Sequence, residues 1–419
     1  MFIWSLSSNM VKVNGFMTWM GKVKSKKMDG ALVAALIGCH CFAYCLSLGL
    51  GHTIKKVPYL KDIYQNGLQG LHGHFRRSTL EMDSLKKMQT TMNLRECAIM
   101  RLCLTRWLSL DSAVDSQAKN LPAEIKVIKR SRDTQTEKIK KAKLTLLYEE
   151  ISAFKFAAST HFLNDAMRGL NLFSLKLQNS NLTLIQVKNA YTVALLEVDH
   201  QTLFYKNLLD STVPAADIST DTCREIIRFT NDLMNRMSNY YDCLADVPEG
   251  SERSKVLPDK FEDFVRSVAL PFLHILTAEL KYYFEESASC KLLAALEVFL
   301  NTPNRADCEV VEIEEAKKYL VKENIFTEVF CIDVNNEREV WNRYWDNIEG
   351  DVPMSAGMLC EQMGHTGMSE LKKLFPNMMT LVETIAVTPL SSVEAERGFS
   401  LAKLILKPER YIMWIAHLK

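Results

Sequence analysis

Leu144-Thr145-Leu146-Leu147-Tyr148-Glu149-Glu150-Ile151-Ser152-Ala153-Phe154-Lys155-Phe156-Ala157-Ala158 sets the character of this chain. Leu144, Leu147, Ile151, Phe154 and Ala158 recur at spacings of three and four, and Phe162 extends the series. That period puts one apolar stripe along a helix and predicts a helix from Lys143 to Leu172. Leu182 to Leu208 repeats the habit through Ile185, Val187, Ala190, Val193, Leu196 and Val198. Ile226 to Leu244 and Phe261 to Phe284 add further runs, with Pro271 starting or kinking the last. Core packing accounts for these stripes, and residues 112–345 read as almost entirely helical.

Polar or charged segments are expected to separate the helices at Asn120 to Glu124, Val213 to Thr222, Val247 to Pro258 and Asn301 to Asp307. Glu349 to Met368 carries four glycines and Pro353 and reads as a linker. Towards the N-terminus, residues 1 to about 65 read as α/β, with a strand at Ile37 to Cys41 and a helix opening at Phe42. Val57-Pro58 restarts the chain into a helical pattern that runs to about residue 92. Ala31 to Leu50 is the most apolar stretch; glycines and cysteines interrupt it, and a buried strand and helix suit it better than a bilayer span. No secretory signal and no membrane partner are expected.

The 419 residues have room for several domains, and their balance of 47% apolar and 24% charged residues is that of a globular protein. A formal net charge of +1 excludes a uniformly basic coat, so any affinity for nucleic acid must come from local clustering. Such a cluster exists: Lys126, Lys129, Arg130, Arg132, Lys138, Lys140, Lys141 and Lys143 place eight bases within 18 residues, against Asp133 and Glu137. The run reads either as a track for a phosphate backbone or as a solvated helix face. The 11 cysteines are odd in number and form no CxxC pair, which favours a reducing compartment over a disulfide framework. Cys39, His40, Cys41, Cys45 and His52 are ligand types, but their crowding lacks the paired, widely spaced knuckles of a structural zinc site. A buried structural junction is expected there, and no metal. Gly-x-Ser-x-Gly, P-loop and His-Glu-x-x-His motifs are all absent.

Four segments remain. Near the C-terminus a largely apolar run, Leu381 to Val387, gives way at Pro389 to Ser391-Ser392-Val393-Glu394-Ala395-Glu396-Arg397-Gly398-Phe399-Ser400. Taken on its residues alone, Ser391 or Ser392 can cap a helix there, with Glu396 and Arg397 pairing at its start. Leu104-Thr105-Arg106-Trp107-Leu108-Ser109 sets a base beside an aromatic ring, which suits phosphate contact with base stacking and equally a core-sealing ring. Cys39-His40-Cys41-Phe42-Ala43-Tyr44-Cys45-Leu46-Ser47-Leu48 and Val13-Asn14-Gly15 followed by Met20-Gly21-Lys22 complete the set.

Taken from the N-terminus to the C-terminus, the four segments resemble the signature of hAT-family DNA transposases. The resemblance implies an RNase H-like core interrupted by a large helical insertion, with Glu396 at the last metal-binding carboxylate. It also implies a C-terminal dimerisation region, here Leu381, Ile385, Val387, Phe399 and Leu401, and nucleic-acid contacts at Arg106 and Trp107. Asn14 stands where the family carries an aspartate; its neutral carbonyl cannot supply the anionic oxygen a Mg²⁺ site needs. Only 13 residues precede Asn14, which leaves no room for the family's first aspartate.

The expected fold is therefore predominantly α with a smaller α/β part, a truncated RNase H-like core interrupted by an all-helical insertion. Its expected division is a partial core over 1–110, the insertion over 111–348, a linker over 349–372 and a dimerisation segment over 373–419. The expected function is that of a transposase-derived, catalytically inactive protein that dimerises, with itself or a related hAT-type protein, and contacts DNA, in the nucleus or else the cytoplasm. An active transposase, with Asp29 or another group in place of Asn14 and with Mg²⁺ as cofactor, and a helical scaffold with no nucleic-acid role are the competing readings.

Overall fold

The computed structural model describes residues 41–96, 99–100, 109–178, 184–209, 260–300, 310–323, 326–346 and 367–386, and among these every regular element is helical. The predominantly α expectation holds there. No strand occurs among the described residues, and most of the expected strand at Ile37 to Cys41 lies outside them. The described residues fall into two compact units. The first takes Leu46–Leu175 and Ala190–Lys281; the second takes the described residues before Leu46, between 176 and 189, and after Lys281.

Helix α1 (Phe42–Lys56) opens at the expected residue and passes through Gly49 and Gly51 to the break at Val57. Pro58 starts the next helical stretch, which widens into a π turn at Leu60–Tyr64 and continues as α2 (Gln65–Arg77). Ser78 ends α2 and begins α3 (Thr79–Thr91). It is extended, and its Oγ accepts from the Glu81 N–H at 3.3 Å as an N-cap. Asn93, at φ 53°, turns the chain out of α3 in the left-handed conformation that asparagine tolerates.

Helix α4 (Ser109–Thr134) contradicts the loop expected at Asn120 to Glu124, which lies wholly inside it. Asn120 and Glu124 are fully buried there, and Val114, Leu121, Ile125 and Ile128 carry an apolar stripe past them. The polar residues belong to the buried face rather than to solvent. Helix α5 (Lys138–Ile151) and α6 (Phe154–Leu177) replace the single helix expected from Lys143 to Leu172. Leu144, Ile151, Phe154, Ala158 and Phe162 are all buried as the period requires, with Leu147 half-buried. The break comes from Ser152, whose Oγ donates to the Tyr148 carbonyl at 2.6 Å in competition with the backbone ladder.

Helix α7 (Leu184–Leu209) occupies its expected range, but its buried face is rotated. Val187, Ala190, Tyr191, Ala194, Val198 and Tyr205 face inward, whereas Val193 and Leu196 are 62% and 63% exposed. Helical residues 260–264 lead through a second π turn, Val265–Ala269, into α8 (Leu270–Lys281). Pro271 thus follows directly on the π turn inside a continuous helical run, where its missing N–H leaves the ladder one bond short. A third π turn, Tyr282–Glu286, precedes α9 (Ala288–Leu300), α10 (Val310–Lys322), α11 (Glu328–Asp346) and α12 (Pro376–Ala386). Residues 367–374 are helical, so the far end of the expected linker belongs to a helix. The expected helix at Ile226 to Leu244 and the loops at Val213 to Thr222, Val247 to Pro258 and Asn301 to Asp307 lie outside the described residues.

Aromatic side chains organise both cores. In the first unit the Phe162 ring meets Tyr205, Phe264 and Phe272 edge-on at 5.5, 5.9 and 5.5 Å. In the second unit α9, α10, α11, helical residues 367–374 and α12 enclose Leu296, Leu320, Val334, Trp341, Trp345, Leu371, Phe375 and Met378. The Trp341 ring stands edge-on to Phe375 at 5.3 Å. Edge-to-face pairs of this kind add about 0.5–1.5 kcal/mol each beyond the area they bury.

Candidate nucleic-acid interface

The basic run divides between two helices of the first unit. Thr134 ends α4 and Lys138 begins α5, so residues 135–137 make a short connection, and the two helices pack on each other as neighbours. A connection this short returns the chain antiparallel to itself. Lys126, Lys129, Arg130 and Arg132 therefore come from the last turns of α4, and Lys138, Lys140, Lys141 and Lys143 from the first turns of α5. All eight gather at one end of the hairpin.

Apolar residues anchor that end. Val127 and Ile128 of α4 and Leu144 and Tyr148 of α5 are buried between the bases. The Arg132 guanidinium lies 4.3 Å from the centre of the Tyr148 ring and reaches the Asp133 carboxylate at 2.8 Å. Its stem is fixed by stacking and pairing together. Lys140 pairs with Glu137 at 2.8 Å, and that contact raises its ammonium above the usual range. Asp133 and Glu137 are thus both engaged by bases of the cluster. Lys126, Arg130, Lys138, Lys141 and Lys143 are exposed, with Lys129 half-buried.

The two helix ends differ electrostatically. Bases near the C-terminus of α4 complement the negative end of its macrodipole. The first turn of α5 contains no acidic residue and carries Lys138, Lys140 and Lys141 against the positive end of its own dipole. Glu137, at the N-cap, makes no side-chain cap; the Gln135 side chain accepts from its N–H instead, at 3.1 Å. Like charges and outward N–H groups converge here, an arrangement that costs stability in the free protein and that a polyanion relieves.

A second polar constellation, absent from the sequence reading, lies deeper in the same unit. Gln89 Nε2 donates to Asn120 Oδ1 at 2.7 Å, and Asn120 Nδ2 donates to the Ser116 carbonyl at 2.8 Å. Gln117 donates to the fully buried Glu124, whose carboxyl is pushed up to about 8 by desolvation, with the Gln117 bond opposing the shift. The apolar period across Val114, Leu121, Ile125 and Ile128 was the signal that could have placed Asn120 and Glu124 on a buried helix face.

The other expected site residues stand apart from the hairpin. Leu381 is buried in the core of the second unit, and Ile385 packs against the same cluster. Both face the interior of their own unit. Asn14, Arg106, Trp107, Glu396, Val387, Phe399 and Leu401 lie outside the described residues, as do Cys39 and His40. Cys41 and Cys45 are buried and not joined in a disulfide, and burial foremost pushes the Cys45 thiol far up, which makes it unreactive. His52 Nδ1 lies 3.2 Å from Glu279 Oε2, and Lys56 Nζ 2.6 Å from Glu279 Oε1. Among the described residues no group of three or more His, Cys, Asp and Glu could hold a metal ion. No helix among them is long and apolar enough to cross a membrane. No protein-family model matches the chain, and no curated protein matches it.

Proposed function

We propose that this chain is a non-catalytic protein of hAT-transposase ancestry that grips a nucleic-acid backbone with the tip of the α4–α5 hairpin and self-associates through its C-terminal segment. The ancestry rests on the ordered resemblance of the four sequence segments, and the loss of catalysis on Asn14 at an aspartate position. The observation that carries the binding role is the first turn of α5. Three lysines and no acid stand there against the helix dipole, beside four more bases from α4. A contact built from phosphate neutralisation alone positions the protein without reading sequence.

Titration of the full chain with a DNA duplex at several salt concentrations tests the binding role. Replacing Lys138, Lys140 and Lys141 by Gln should reduce the slope of log K against log salt by about three, at roughly 0.9 per phosphate contact. A slope that does not change removes the hairpin from the interface. Metal-dependent strand cleavage that Glu396→Ala abolishes would overturn the non-catalytic reading. Light scattering across a concentration series tests self-association: Phe399→Asp with Leu401→Asp should lower the mass, and a monomer at every concentration of the unaltered chain removes the dimer.

A further inference from the structure

We infer that Glu124 is a proton-operated latch on α4: neutral, it lets the helix run intact through the core of the first unit, and ionised, it forces the segment around Pro122 open. The geometry has three parts. Glu124 has no exposed surface, and its Oε1 has no hydrogen-bond partner. Its Oε2 accepts from Gln117 Nε2, two turns back on the same helix, so the proton of the neutral acid belongs on Oε1. Pro122, two residues before it, lacks the N–H that would close the ladder on the Ala118 carbonyl. A buried charge is thus avoided at the point where α4 is weakest.

The neighbours offer no countercharge. Tyr64, at the end of the first π turn, is the titratable group facing Glu124; burial raises its phenol, and its hydroxyl, beside Thr160, completes no hydrogen bond of good geometry. From α3 the buried neighbour of this helix face is the amide of Gln89, while Asp83, Lys86 and Lys87 of that helix are exposed. On α5 the half-buried Glu150 carboxyl is engaged by the Gly67 amide and is itself raised, chiefly by desolvation. Among the described residues no lysine, arginine or histidine shifts the Glu124 carboxyl. An ionised carboxylate in such a place has only the Gln117 amide to stabilise it, far short of what water supplies.

The direction follows from linkage. The closed helix keeps the Glu124 proton up to about 8, whereas an opened, solvated carboxyl releases it at its ordinary 4.5. Below 4.5 both forms are protonated and the latch is fully closed. As pH rises from there to about 8, opening gains about tenfold per pH unit, and above that it levels off.

Hydrogen exchange of the full chain, corrected for the intrinsic pH dependence of amide exchange, reads this directly. Peptides covering residues 113–128 should lose about tenfold in protection per unit between roughly pH 6 and 8, while those from α12 hold steady. Glu124→Gln, neutral at every pH and nearly the same shape, should abolish the dependence. Flat protection in the unaltered chain, or an unchanged slope in Glu124→Gln, overturns the latch. Should that variant fail to fold, ¹³C-carboxyl NMR of glutamate-labelled wild type decides. One side chain titrating near 8 is expected, and none titrating above about 7 overturns it.

Discussion

The carboxylate of Glu337 on α11 receives three donors from the start of α12: Asn377 N at 3.0 Å, Met378 N at 2.9 Å and Asn377 Nδ2 at 2.6 Å. Pro376, the first residue of α12, has no N–H to satisfy, so the carboxylate serves the two amides that follow it. It does at long range what an N-cap side chain does locally, and it places a negative charge at the positive end of a helix dipole. Glu337→Ala should therefore destabilise the second unit by about 1–2 kcal/mol. Glu337→Gln should cost less, because it keeps an acceptor. Urea unfolding followed by exchange of α12 amides separates the two variants, and equal stability of both with the unaltered chain would deny the cap its role.

The Gln89–Asn120 bond is the counterpart in the first unit. Gln89→Ala strips Asn120 Oδ1 of its buried donor and should cost about 1–3 kcal/mol. Replacing both residues by Leu and Val restores apolar contact and should cost less than the single change. A double-mutant cycle in urea measures the coupling, and strictly additive costs would mean that the bond contributes nothing of its own.

Lys138→Glu trades one property for the other. An acid in the first turn of α5 suits the dipole and should raise stability by about 0.3–1 kcal/mol. The same change should weaken duplex binding and lower its salt slope by more than neutralisation to Gln does. A variant that gains stability and loses no binding would set the two effects apart.

Phe162 joins three helices through three ring contacts, and Phe162→Ala should cost about 3–5 kcal/mol. Phe162→Leu retains much of the volume and should cost less than half as much. Thermal and urea unfolding should agree on that order.

The helical character of the chain was legible because burial keeps one period over long stretches. Val187, Ala190 and Val198 fell where the pattern put them. Val193 and Leu196 did not, since Tyr191, Ala194 and Tyr205 complete the buried stripe of α7 and turn it away from them. Asn120 to Glu124 looked like a loop for a sound reason: two polar residues and a proline ordinarily belong in solvent. Their pairing with Gln89 and Gln117 across and along helices is tertiary information that spacing does not carry. Of the candidate interface, the density of bases was plain in the sequence. Its division at residues 135–137, which folds one linear run into a two-sided tip, was not.

Gly67 lets α2 come so near α6 that a methyl group there would sit 2.6 Å from Phe156 Cε2. Phe156 in turn rests against Tyr64 at 4.8 Å, the residue beside Glu124. Positions 67 and 156 are therefore free to drift only as a couple: an alanine at the first survives where the second has shrunk, and each such exchange would loosen the tyrosine's seat as well.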